Sequence, residues 1–227
     1  KYARHSPSLP RLGYRTFIDT VQDRNMRKMT VHSQLRDDPR WQRLRDLVRE
    51  LAYLEAEEGQ SFKLASGRES KHFFDTKPLM MHPEGSHLLG ELLNQRLDDW
   101  QVDLIGGLEL GAVPLTAIAI STSSGDCQRR GFMVRKEPKG RGGRKTNNPP
   151  GIEGSSVSGG GKVAILEDVT TTGGSSLKAV QRIEEETPCQ VIGVITIVDR
   201  AEGGADTFEE AGIRFESLFS LNDIAHS

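Results

Sequence analysis

Residues 163–183 read Val-Ala-Ile-Leu-Glu-Asp-Val-Thr-Thr-Thr-Gly-Gly-Ser-Ser-Leu-Lys-Ala-Val-Gln-Arg-Ile, and this stretch decides the fold. Val163, Ala164, Ile165 and Leu166 form the short apolar run of a strand buried on both faces, while Leu177, Val180 and Ile183 recur at helical spacing. A loop must join the two. Residues 170–175 place hydroxyls and unhindered backbone N–H groups where a helix N-terminus presents the positive end of its dipole, an environment suited to a phosphate monoester. Glu167 and Asp168 would repel such an anion, so they read as ligands of sugar hydroxyls, directly or through Mg²⁺. A P-loop is not met. Gly159, Gly160, Gly161 and Lys162 end in Gly-Lys, but that lysine precedes the strand, and G-x-x-x-x-G-K-[ST] fails. These glycines read as a flexible connection.

Working outward, the 227 residues are enough for one large core, and one α/β domain is the expectation. A net charge of −2 provides no bulk attraction to nucleic acid or to a membrane. The two cysteines, Cys127 and Cys189, form no Cys-x-x-Cys pair, which argues against a disulfide framework or a structural zinc site and for a reducing, cytoplasmic setting. No apolar run approaches the ~18 residues of a membrane span.

Residues 1–30 are rich in Arg and Lys and lack a period that would bury a face, so they read as an extension, flexible or bound to a partner. Asp19 and Asp23 suit an organelle transit peptide poorly, and Met26 or Met29 is a candidate natural start. Asp38 and Pro39 form an N-cap and first-turn pair, after which Trp41, Leu44, Leu47, Val48, Leu51 and Leu54 share one helical face. Alternation around Gly67 predicts a β-hairpin over 59–75. His82-Pro83 opens a helix carrying Leu88, Leu89, Leu92, Leu93 and Leu97, and Val102, Leu104 and Ile105 start the first strand of the main sheet. That strand runs into residues 106–114, a glycine loop and helix start whose backbone amides can approach an anion closely, and which by itself reads equally well as a plain βα turn.

Residues 131–145 form a strand and then a loop with six basic residues and one acid, Glu137. Taken alone, such a loop is as well read as a solvated face. Val191 and the residues up to Val198 form another buried strand, which ends in Asp199-Arg200. Residues 203–212 then form a short helix, 213–219 an edge strand, and Leu221-Asn222-Asp223 a closing turn. In open α/β sheets ligands sit beyond the carboxyl ends of strands, so the loops after Ile105, Val134, Leu166 and Val198 should converge.

An acidic pair followed by Thr-Thr-Gly-Gly-Ser after an apolar strand resembles the phosphoribosyl-diphosphate signature of type I phosphoribosyltransferases. Phe62, Leu64, Ser66, Gly67, Ser70 and then Phe73-Phe74-Asp75 resemble the hood segment of the orotate-specific branch of that family. The resemblance implies an α/β fold with a mostly parallel sheet flanked by helices. It also implies a single domain over 31–227, with a small hood over 31–80 and a mobile catalytic loop over 135–151. The implied activity is transfer of phosphoribose to N1 of orotate in pyrimidine biosynthesis, giving orotidine 5′-phosphate and pyrophosphate.

Residue by residue, the resemblance assigns Glu167 and Asp168 to the ribose hydroxyls. Thr170, Thr171, Thr172, Gly173, Gly174 and Ser175 fall to the 5′-phosphate, with Val169 counted with the donor site. Arg135, Lys136 and Lys139 fall to the pyrophosphate, whose binding loop residues 106–114 resemble, Arg141 is counted with the donor site, and Phe73, Phe74, Thr171 and Arg200 fall to orotate. Lys136, Lys139 and Asp168 take the catalytic roles. Mg²⁺ is implied mainly through the donor diphosphate, with Asp168 through a water as its protein contact. The implied assembly is a homodimer in which the catalytic loop acts on the neighbouring subunit, with no nucleic-acid or membrane partner.

Four departures stand out. Ala65 and Gly111 occupy positions where relatives carry lysines, Arg141 stands where a loop histidine is common, and residues 146–150 look inserted. A purine-specific member would leave Phe73-Phe74 and Arg200 unexplained. An RNA-binding regulator of the same fold finds support only in the basic segment 129–145, against the net charge. Residues 224–227 are too few for the decarboxylase to which some relatives are fused.

Overall fold

The computed structural model describes residues 35–63, 67–125, 127, 129–137 and 145–225. The extension over 1–30, Leu64, Ala65 and Ser66 of the hood, and the loop residues Lys139 and Arg141 lie outside the described residues. The chain divides between Gln42 and Arg43 into two units. In the first, Asp38 Oδ1 accepts from the Arg40 amide at 2.8 Å, the cap expected at the start of helix α1 (Pro39–Leu51).

In the second unit, Leu44, Leu47 and Val48 of α1 are buried, but the helix stops before Leu54. That residue belongs to strand β1 (Tyr53–Glu55) and is 51% exposed. Pairing overrides the helical period here. β1 runs antiparallel to β4 (His72–Phe74), with Tyr53 opposite Phe74 and Leu54 opposite Phe73. The predicted hairpin is the antiparallel pair β2 (Phe62–Lys63) and β3 (Glu69–Ser70), with Gly67 at φ +81° between them.

After the short helix α2 (Lys77–Met80), helix α3 (Pro83–Trp100) begins as expected, with His82 Nδ1 accepting from the Gly85 amide at 3.2 Å. The main sheet follows. Its strands are β5 (Leu104–Gly106), β6 (Arg130–Val134), β7 (Ile152–Gly154), β8 (Gly161–Thr170), β9 (Cys189–Asp199) and β10 (Arg214–Ser220). They lie in the order β10-β9-β8-β5-β6-β7. All pairings are parallel except that of β7, which runs antiparallel to β6 and was not foreseen.

The four apolar residues 163–166 are 0% exposed, as a strand covered on both faces requires. Helix α4 (Ala112–Ser121) packs on β5, β6 and β8, helix α5 (Gly174–Glu186) on β8 and β9, and helix α6 (Gly204–Glu210) on β10. The chain moves outward from β5 to β6, then returns to lay β8 on the other side of β5 and continues to β9 and β10. This reversal leaves a crevice at the carboxyl ends of β5 and β8, where open α/β sheets take their ligands.

Three local readings change. β8 continues to Thr170, so Glu167 and Asp168 are strand residues and the turn before α5 shrinks to 171–173. The expected closing turn is helix α7 (Leu221–Ala225), because Ser220 and Asp223 form a reciprocal capping box: Asp223 Oδ2 accepts from the Ser220 amide and Ser220 Oγ from the Asp223 amide. The end of the glycine connection is held, with the Lys162 amide donating to Asp103 Oδ2 at 2.8 Å. Among the described residues no helix is long and apolar enough to cross a membrane, and Cys127 and Cys189 are both free thiols.

Candidate active site

Glu167 and Asp168 follow one another on β8 with their carboxyls within reach of each other, yet their surroundings differ. Glu167 is 9% exposed and accepts from Ser176 Oγ at 2.7 Å. Burial pushes its carboxyl up to about 7; the Ser176 hydrogen bond opposes the rise and the charge of Asp168 adds to it. Asp168 instead faces the crevice. Its Oδ2 accepts from Thr76 Oγ1 at 2.9 Å, and its carboxylate lies against the backbone of Gly111, where a Cβ would come within 2.3 Å of the carboxyl carbon. A side chain at 111 and this Asp168 rotamer exclude one another.

Beyond Asp168, Val169 is half-buried and Thr170 is 2% exposed, its hydroxyl buried without a partner. The Thr170 carbonyl accepts from the Arg200 amide at 3.0 Å, which joins the ends of β8 and β9. The chain then turns through Gly173, at φ +79°, into α5, which has no side-chain cap. The first amides of that helix therefore lack intrahelical acceptors and point at the turn. Thr172, Gly174 and Ser175 are exposed there, and the turn encloses a polar cavity of about 40 Å³ that Glu167 also lines. Hydroxyls, free amides and a helix N-terminus around a small cavity constitute an anion site.

On the β5 side, residues 107–111 are laced to β6. The Val134 amide donates to Gly107 O and the Glu109 amide to Val134 O, each at 2.8 Å. Glu109 reaches the basic loop: its Oε1 accepts from the Lys136 amide at 2.8 Å, and its Oε2 lies 3.7 Å from Arg135 Nη1. The loop is tied at both ends. The Arg135 amide donates to Gly151 O at 2.8 Å, while Arg182 of α5 donates to Arg135 O at 3.2 Å and to Pro150 O at 2.6 Å. Asn148, in the segment that looked inserted, is buried and bonds Ser155 O and the Val157 amide. That segment is therefore part of the anchor of the loop.

On the third side, Arg200 is 5% exposed and donates through Nη2 to Ser70 Oγ and His72 O, each at 2.9 Å, with Glu202 Oε1 at 2.8 Å. Its Nε is buried and has no partner. The hairpin and Arg200, about 130 positions apart in the chain, thus meet at the crevice. The aromatic pair divides across β4, as alternation demands: Phe73 meets Phe62 at 5.5 Å between ring centroids, whereas Phe74 is buried against Tyr53 at 5.3 Å.

Arg135, Lys136, Glu167, Asp168, residues 169–175 and Arg200 thus lie at or just beyond the carboxyl ends of β6, β8 and β9, while Phe73 stays on β4 against Phe62. The sequence reading missed the residues that hold them: Thr76 on Asp168, Ser176 on Glu167, Glu109 on Lys136 and Glu202 on Arg200. Ser176 alone had a signal, as the second serine of the turn motif. For a metal, the described residues contain no group of three His, Cys, Asp or Glu that could cage an ion. A single crevice carboxylate, Asp168, suits a hard cation that brings its own waters and phosphate oxygens.

A family model described as phosphoribosyl transferase domain matches residues 77–211. The chain is 42% identical over 182 residues to an orotate phosphoribosyltransferase of Rhodopseudomonas palustris, covering 80% of this chain and 94% of that protein. It is 47% identical over 162 residues to the orotate phosphoribosyltransferase of Bradyrhizobium diazoefficiens, covering 70% and 84% respectively. Among solved structures, the orotate phosphoribosyltransferase of Mycobacterium tuberculosis in complex with 5-phospho-α-D-ribosyl 1-diphosphate aligns with a TM-score of 0.67 at 33% identity, over 82% of this chain and 99% of that one.

Proposed function

The chain belongs to the phosphoribosyltransferase family, and from that premise we propose that it is an orotate phosphoribosyltransferase of pyrimidine biosynthesis. It joins N1 of orotate to C1 of phosphoribosyl diphosphate as the bond from C1 to the diphosphate oxygen breaks, releasing orotidine 5′-phosphate and pyrophosphate. The observation that carries the choice of base is Arg200. A guanidinium that already grips the hairpin through one nitrogen, with a second buried nitrogen unpartnered, suits a planar carboxylate such as that of orotate.

The rest of the crevice supplies position and charge. Residues 171–175 and the N-terminus of α5 hold the 5′-phosphate, with Thr170 as the buried strand end beneath them. Glu167 and Asp168 take the ribose hydroxyls. Arg135 and Lys136 lie beside the 107–111 loop, where they meet the leaving diphosphate, and Lys139 and Arg141 are proposed to join them. Phe73 borders the base from the hairpin with Phe74 packed behind, and Thr171 adds a hydroxyl. Positive charge on the leaving group and exclusion of water stabilise the oxocarbenium-like carbon. Mg²⁺, proposed to be held by the donor's diphosphate with Asp168 contacting it through a water, would neutralise part of that charge.

The proposal extends to a homodimer in which the basic loop serves the partner's crevice, supported by the exposure of the apolar Leu110 beside that loop and of Leu54 and Met81. A reducing, cytoplasmic setting accords with the two free thiols. The direct test is incubation with donor, Mg²⁺ and a panel of bases. Magnesium-dependent loss of orotate alone is expected, whereas consumption of a purine with orotate untouched would refute the assignment.

A further inference from the structure

The donor's diphosphate must be met from both sides of the crevice, yet residues 106–114 offer no cation. Their one charged side chain is the acid Glu109, which is committed to the Lys136 amide. The structure supplies a cation from another element. Thr76, the N-cap of α2, makes no capping hydrogen bond with its side chain. Its buried hydroxyl donates to Asp168 instead, forgoing a cap worth about 1 kcal/mol. Asp168 in turn rests on Gly111, and α2 packs against α4, which begins at Ala112. Thr76, Asp168 and Gly111 are therefore locked together, and the next residue after Thr76 is Lys77.

We propose that Lys77 is a diphosphate-binding residue of the donor site, delivered to the Gly111 side of the crevice by the Thr76–Asp168 contact. Its Nζ rests on Asp75 Oδ1 at 2.9 Å, an ion pair whose two side chains are each about half exposed. The Asp75 hydrogen bond raises the Lys77 ammonium above its ordinary value, burial opposes this, and the charge of Asp168 adds to the rise, so that carboxylate is within electrostatic reach. Surface pairs of this kind contribute little, so the ammonium can leave Asp75 for a multiply charged anion at small cost.

The inference rests on the donor-binding half of the proposed function, and the test separates the two. Binding of phosphoribosyl diphosphate, ribose 5-phosphate and pyrophosphate is measured by calorimetry for the wild type, Lys77→Met and Asp75→Asn, with circular dichroism to establish that each variant is folded. In Lys77→Met, affinity for phosphoribosyl diphosphate and for pyrophosphate should fall by about tenfold, the scale of one lost hydrogen bond to a charged group, while ribose 5-phosphate binds as before. Asp75→Asn should bind the donor as well as the wild type or better.

Equal weakening of all three ligands in Lys77→Met would mean that the lysine acts only by holding Asp168, and would overturn the proposal. Unchanged affinities would overturn it too, as would a loss in Asp75→Asn equal to that in Lys77→Met, because the ion pair rather than the cation would then matter. A wild type that binds none of the three ligands would sink the functional reading, and this proposal with it.

Discussion

Glu167→Gln tests the reading of the buried carboxyl. Glutamine preserves the contacts, since its carbonyl can accept from Ser176 Oγ and its amide can face Asp168, and it removes only the ionisation. A folded value of about 7 against the ordinary 4.5 means that between these two pH values the native state binds a proton that the unfolded chain has released. Stability contributed by Glu167 therefore falls as pH rises through this window and levels off above the folded value. The full window corresponds to on the order of 3 kcal/mol, and the part between about pH 5.5 and about pH 8 to about 2 kcal/mol.

Chemical denaturation of the two proteins at these pH values, without metal or ligand, isolates the group because all other titrations cancel in the difference. The variant should gain about 2 kcal/mol on the wild type between the lower and the higher pH, which a thermal melt would read as roughly 4–8 °C in Tm for a chain of this size. A difference that stays constant with pH would show that Glu167 is ionised throughout. Its burial and its Ser176 contact would then not have the electrostatic effect argued above.

Asp168→Asn should fold normally, since Thr76 can still donate to the remaining oxygen, and should lower kcat by about a hundredfold or more as transition-state charge stabilisation is lost; near-normal turnover in a folded variant would remove this carboxylate from the mechanism. Arg200→Ala should raise the orotate KM far more than the donor KM, and because Ser70 and His72 O lose their donor, it should also cost about 1–3 kcal/mol of stability by thermal melt. A donor-only effect would contradict the assignment of Arg200 to the base. Mixing inactive Lys136→Ala and Asp168→Asn proteins under subunit exchange should restore up to about a quarter of wild-type activity if the loop acts in trans; mixed dimers as inactive as their parents would place the loop in its own subunit.

Much of this was legible from local pattern. The Val163 to Leu166 run, the Gly-Gly turn and the 177, 180, 183 spacing are short-range signals, and they fixed the central strand, the turn and helix α5. The capping pair at Asp38-Pro39 and the start at His82-Pro83 were equally local. Periodicity failed at Leu54, where pairing with Phe73 of β4, distant in sequence, overrode the helical stripe. It also gave no hint of β7, whose three residues are a strand only because β6 lies beside them. In the site, the residues expected to touch ligand were chosen from their types. Thr76 and Glu109, which hold them in place, were not, because a threonine or glutamate acquires that role only when the fold sets it beside a partner tens of residues away in sequence; Glu202 was missed as well, although it stands two positions from Arg200.

The ties at the base of the basic loop bear on how this enzyme can diverge. The chain leaves the sheet at Arg135 and returns at Gly151, and these two residues are hydrogen-bonded to one another, with Arg182 clasping both strands of the stem. A loop closed at its root is thermodynamically uncoupled from the sheet below, and each doubling of its length adds only about 0.6 kcal/mol of closure entropy. Segments between Glu137 and Lys145 can therefore be exchanged, shortened or extended while Asp168, Arg200 and the phosphate turn keep their positions. That makes the stem a natural junction for grafting foreign loops, by which the share of the donor site proposed for Lys139 and Arg141 would be replaced while the share carried by the sheet keeps its place.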